Sequence, residues 1–147
     1  MMAENKAKSI RIPKRLKPWE DIVLDLRELV EEAKKYGVAE DEIGATIFED
    51  VEIEDEDDYV KYLHEEIPTL LYRILRALRF SGITIYHRKD DINTAEYLVE
   101  GIRGRTPYVF EIDVDYDDGV GEWELVWVRV TKDAEVNKDY LPYYHEV

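Results

Sequence analysis

The sequence predicts an α+β domain in which two long helices pack on one face of a four-stranded antiparallel β-meander. Three observations predict it. Apolar residues recur every three or four positions from Trp19 to Ala33, and again from Val60 to Leu78. From Ile83 onward the period falls to two. The period-two runs are separated by short stretches rich in Gly, Asp and Asn, the chemistry of hairpin turns.

Residues 1–17 read as a flexible basic arm punctuated by Pro13, and residues 18–147 as a single domain. The first helix starts at Pro18, whose missing N–H costs nothing at a helix N1 position. Glu20 and Asp21 sit in its first turn, where the helix dipole favours acids. Ile22, Val23, Leu26, Leu29, Val30 and Ala33 form one apolar stripe, and Asp25, Glu28, Glu31 and Glu32 the solvated face. Lys34 and Lys35 occupy the last turn and Gly37 supplies the stop. Residues 38–56 are ambiguous: Ala39–Gly44 suits a short helical turn, and Thr46–Ile53 an edge strand. Asp57 or Asp58 then caps the second helix, which Pro68 is expected to kink or break. Ser81-Gly82 ends it.

Four strands follow, Ile83–Arg88, Glu96–Arg103, Tyr108–Asp117 and Trp123–Thr131. In the third, Tyr108, Phe110, Ile112, Val114 and Tyr116 share one face, and Glu111, Asp113, Asp115 and Asp117 the other, giving a core side and a wet acidic side. The fourth is apolar at both parities, as expected of a central or covered strand. The aromatic tail from Lys138 carries no clear secondary-structure signal.

Charge is sorted along the chain. The first 18 residues carry six cations (Lys6, Lys8, Arg11, Lys14, Arg15, Lys17) against Glu4, a net of +5 that leaves −20 for the rest of a chain totalling −15. The densest acidic run is Glu49–Asp58, where only Val51 and Ile53 are uncharged. Such sorting bears on partners rather than fold. With 147 residues, 45% of them hydrophobic, with 11 Tyr and 3 Trp, the chain can bury a core and is unlike a disordered one. No apolar stretch approaches the ~18 residues of a membrane span, and the basic N-terminus lacks the apolar segment of a secretory signal. A cytoplasmic protein with no membrane contact is expected. The chain has no Cys, which removes disulfides, thiolate metal sites and thiol catalysis. It has no Gln and little Asn, and 37% of its residues are charged, the pattern of a thermophile's protein.

The catalytic motifs that can be sought are incomplete. Asp113–Glu124, DVDYDDGVGEWE, resembles an EF-hand calcium loop over twelve residues, with Asp113, Asp115, Asp117 and Glu124 at ligand positions and Val120 at the apolar one. The turn position that needs Gly is Asp118, and the flanks are strand-like, so a hairpin accounts for the segment better. The order helix, Asp-bearing strand, hairpin, strand resembles the layout of PD-(D/E)xK nuclease cores. There the second strand would need Glu and Lys where this chain has Trp127 and Arg129, so the metal chemistry is missing. Gly101-Ile102-Arg103-Gly104 lies between strands and reads as a turn. His64, His87 and His145 lack metal-ligand spacing, and Ser9 and Ser81 lack a nucleophile-elbow context. Arg73, Arg76 and Arg79 mark one side of the second helix.

These readings lead to a non-catalytic interaction protein, without a cofactor, catalytic residue or metal ligand. Its acidic body would bind a basic protein surface through Glu52, Glu54, Asp55, Glu56, Asp57 and Asp58, presenting acids at phosphate-like spacing. Lys14, Arg15 and Lys17 of the arm would touch nucleic acid within a larger complex. The alternative is a divalent-metal-dependent nuclease or phosphodiesterase using the clustered carboxylates. It lacks a Lys or His beside those acids, and a body at this charge repels a polyanion.

Overall fold

Pro18 lies in the first turn of helix α1 (Leu16–Tyr36), where its absent N–H removes no helical hydrogen bond. The helix is 21 residues long and buries Ile22, Val23, Leu26, Leu29, Val30 and Ala33 along one stripe. Gly37 ends it at φ 93°, donating its N–H to the Ala33 carbonyl at 2.7 Å. The chain reverses there into strand β1 (Val38–Phe48), so α1 and β1 run side by side in opposite directions. The computed structural model describes residues 16–91, 93–136 and 142–145, with no side-chain description for 16–19, 89, 90 or 142–145. Of the arm expected over residues 1–17, residues 1–15 lie outside the described residues, and residues 16 and 17 belong to α1.

A second helical stretch follows in three pieces: α2 (Glu56–Lys61), a π turn (Tyr62–Glu66) and α3 (Ile67–Ala77). The Ile67 N–H reaches back five residues to the Tyr62 carbonyl. Pro68 explains the wide turn. It has no N–H to donate and its ring crowds the carbonyl four residues back, so an extra residue in the preceding turn relieves the clash. Leu63, Ile67, Leu71, Ile74, Leu75 and Leu78 still face the core.

The remaining strands are β2 (Ser81–Asp91), β3 (Thr94–Arg103), β4 (Thr106–Asp117), β5 (Glu122–Lys132) and the short β6 (Pro142–His145). They form one sheet in the order β1-β5-β4-β3-β2, with β6 added beyond β2, and every neighbouring pair is antiparallel. The helices cover one face. Their stripes join Ile83, Ile85, Tyr97, Val99, Tyr108, Phe110, Ile112, Val114 and Trp123 in a single core. Among the described residues, the other face carries a small cluster of Tyr86, Leu98 and Val109, covered by Ala134 and Val136. Glu100 holds that cover in place, accepting from the Val136 N–H at 3.0 Å and from the Tyr86 hydroxyl at 3.2 Å.

The architecture corrects the expected two long helices on four strands. The class is α+β, but the sheet gains β1 on one edge and β6 on the other, and the second helix is segmented into pieces of 6, 5 and 11 residues. β1 escapes a period-two reading because its register shifts twice against β5, between Glu42 and Ala45 and between Thr46 and Phe48, with Gly44 at φ 63°. Among the described residues no helix is long and apolar enough to cross a membrane.

Candidate functional site

Beyond β1 the chain runs across the end of the sheet as an irregular segment, residues 49–55, before α2 begins. It is pinned at Val51, which is buried. The Val51 N–H donates to the Gly121 carbonyl at 2.9 Å, and the Tyr116 hydroxyl donates to the Val51 carbonyl at 3.1 Å. Gly121 permits the approach: it sits at φ 71°, and a Cβ there would lie 2.7 Å from the Val51 oxygen. The segment is thereby stapled to the β4–β5 hairpin with its flanking acids pointing outward.

Between this segment and the sheet end lies an open cleft of about 480 Å³. Glu52, Glu54 and Asp118 supply its carboxylates, Tyr59 and Tyr116 its aromatic walls, and Val51, Ile53 and Asn93 the rest of the lining. The tyrosines are fixed from behind by fully buried Trp123, with ring centroids 5.5 Å from Tyr59 and 5.2 Å from Tyr116. Tyr62 stacks on the same indole at 6.1 Å. The Tyr59 hydroxyl donates to the Asp91 carbonyl at 3.2 Å, and the Tyr116 N–H to the Asn93 carbonyl at 2.7 Å, tying α2 and the β2–β3 turn to the cleft. Burial, reinforced by Asp118, raises the Tyr116 phenol above its ordinary value, so it stays a neutral donor.

The six acids expected to act together divide into three pairs. Glu52 and Glu54 line the cleft. Asp55 and Asp58 form a reciprocal cap on α2: Asp55 Oδ1 accepts from the Asp58 N–H at 3.1 Å, and Asp58 Oδ2 accepts from the Glu54 N–H at 3.1 Å. Both brace the start of α2, and the cap is Asp55 rather than Asp57 or Asp58. Glu56 and Asp57 are exposed in the first turn, favoured by the helix dipole. Of the arm residues, Lys14 and Arg15 lie outside the described residues. Lys17 falls within α1, where its side chain is not described.

Tyr59, Asn93, Tyr116 and Asp118 were not legible as site residues. Tyr116 belongs to the buried parity of its strand, and nothing local in the sequence shows that its hydroxyl end reaches a cleft. Tyr59 carried a weak signal, as the first aromatic after the acidic run.

The EF-hand-like segment is the end of β4, a tight turn and the start of β5. Asp117 Oδ1 accepts from the Gly119 N–H at 2.9 Å, and the Gly121 N–H donates to the Asp117 carbonyl at 2.8 Å, so that acid shapes the turn. Asp113 and Asp115 lie on the sheet face away from the helices, bordering a hollow of about 190 Å³ with Asp91, Thr94, Ala95 and Glu96. Burial raises the Asp113 carboxyl above the ordinary range; Glu96 adds to this and Arg88 opposes it. Burial likewise raises Asp115 and Glu124, with Glu122 adding at Glu124. Among the described residues no three His, Asp or Glu side chains converge in a geometry able to hold a metal ion.

No family model, no curated protein and no solved structure matches this chain. The functional reading therefore rests on the geometry alone.

Proposed function

We propose that the protein is a non-catalytic interaction module that binds a basic protein surface by taking a cationic side chain into the cleft of Glu52, Glu54, Tyr59, Tyr116 and Asp118. One observation carries this reading: carboxylates and tyrosine rings, the two groups that attract a guanidinium or ammonium, line the same open cleft, whose aromatic wall is held rigid by Trp123. An Arg is the better guest, since its planar fork can stack on tyrosine while donating to a carboxylate. The exposed Glu56 and Asp57 add to the field that draws a basic partner in.

The test separates the cleft from the field. An oligo-arginine peptide is titrated by NMR and calorimetry into the wild type and two charge-matched variants. Glu52→Gln with Glu54→Gln should weaken binding by about tenfold or more, the scale of lost charge-assisted hydrogen bonds. Glu56→Gln with Asp57→Gln should mainly slow association. Equal losses in the two variants would mean attraction by bulk charge and would refute the cleft.

A further inference from the structure

At the opposite end of β4 the charge reverses. Arg103 and Thr106 are cross-strand partners closing the β3–β4 hairpin, joined by Gly104 and Arg105 at φ 59° and 75°, the paired positive angles of a tight two-residue turn. Tyr108 lies two residues beyond Thr106 and pairs with Lys132 on β5. Cross-strand partners and i, i+2 neighbours share a sheet face, so Arg103, Thr106, Tyr108 and Lys132 all face the helix side. Lys34, in the last turn of α1, borders the same hollow. Together with Gly104 these residues line a pocket of about 200 Å³.

Part of this charge serves the fold. Lys132 Nζ donates to the Lys34 carbonyl at 3.3 Å, satisfying one of the acceptors at the C-terminus of α1, and Arg103 Nη1 lies 3.4 Å from Glu31 Oε2. These contacts leave donors over, because an ammonium carries three N–H groups and a guanidinium five. Glu31 is itself 53% exposed and able to swing away. The Tyr108 phenol, nearly all buried, is raised by burial, while Arg103 pulls it down and Glu31 and Asp133 push it up. It therefore remains protonated at neutral pH and can donate. Three cations, a hydroxyl and a phenol from four separate elements thus line one hollow, in a chain with a net charge of −15.

We propose that this pocket binds a small phosphate-class oxyanion, with Arg103 and Lys132 as its principal ligands and Lys34, Thr106 and Tyr108 completing the donor set. The volume is below the roughly 300 Å³ at which sites for drug-sized ligands begin, so it suits a phosphate group rather than a whole cofactor. The inference is independent of the acidic cleft. β4 is 12 residues long, so at about 3.3 Å per residue some 30 Å separates Thr106 at one end from the cleft at the other.

Inorganic phosphate, titrated at constant ionic strength against chloride, should cause saturable NMR shifts centred on the Gly104, Thr106 and Lys132 amides. Arg103→Gln and Lys132→Ala should each weaken binding about tenfold, while Arg129→Ala, a cation on the other sheet face, should not. Thermal melts identify any variant whose fold has suffered, and Arg103→Gln removes the charge while leaving a polar side chain that can still donate. Phenyl phosphate in a second arm tells a monoester from the free ion, tighter binding of the ester assigning the former. Absence of saturation, or shifts that persist unchanged in both pocket variants, would overturn the proposal.

Discussion

Asp113 lies between Glu96 on β3 and Trp127 on β5, and its Oδ1 atom is buried without a hydrogen-bond partner among the described residues. Desolvation disfavours the charged form, and Glu96, Asp115 and Glu111 repel it, against the single attraction of Arg88. Arg88 is itself engaged by Glu96 at 2.7 Å and Glu111 at 3.4 Å. A carboxyl raised in the folded state binds its proton more tightly there than in the unfolded chain. Its contribution is therefore most favourable below the ordinary Asp value of about 3.9 and declines as pH rises through the raised one. Asp113→Asn removes the charge and keeps the shape. The variant should melt at a higher temperature than the wild type near pH 7, with the gap closing below about pH 3. A lower melting temperature at neutral pH would show that Asp113 has a compensating partner, such as a bound cation.

At the scale of elements, the cleft depends on how closely segment 49–55 approaches the β4–β5 hairpin. Gly121→Ala forces a Cβ against the Val51 carbonyl at a backbone angle that L-residues avoid. It should cost about 1–3 kcal/mol in urea unfolding and shift the Glu52 and Glu54 amides. Gly119→Ala meets only the movable Asp117 side chain and should cost less. Asp55→Ala removes the α2 cap and should cost about 1 kcal/mol. The sequence shows the core face of β4 plainly, because Tyr108 to Tyr116 alternate without interruption and all are buried. It shows β5 ambiguously, and the cause is a shift in register. Trp123 and Leu125 face the core at one parity, Val128 and Val130 at the other, with Val126 the extra residue between them. A strand that looks apolar on both sides is one core face with its phase flipped. The bulges in β1 hid that strand for the same reason. The cleft was half legible: a charge run marks Glu52 and Glu54, but only the pairing of distant strands brings Asn93, Tyr116 and Asp118 beside them.

Over the whole molecule, charge is sorted by the ends of the sheet. One end gathers the 49–58 run, Asp91, Asp115, Asp117, Asp118 and Glu122, and the other gathers Lys34, Lys35, Arg76, Arg79, Arg103, Arg105 and Lys132. α1 ends at the basic end, where Lys132 meets Lys34, and its 21 residues run back beside β1 for about 30 Å at 1.5 Å per residue. β1 itself ends at the acidic segment. Residues 1–15, five cations against Glu4, therefore join the fold through Leu16 on the acidic side of the molecule. If the proposed basic partner is drawn in by the acidic end, cations joined to the chain there would offset part of that attraction, within a screening length of about 8 Å at physiological salt. Deleting residues 1–15 should speed association of the oligo-arginine peptide and steepen its dependence on salt, with little change in dissociation. Stopped-flow tryptophan fluorescence, to which Trp123 behind the cleft contributes, can follow the reaction. If the truncated chain associates more slowly, the arm assists the partner rather than competing with it, and the acidic end would not be the surface that the arm's charge offsets.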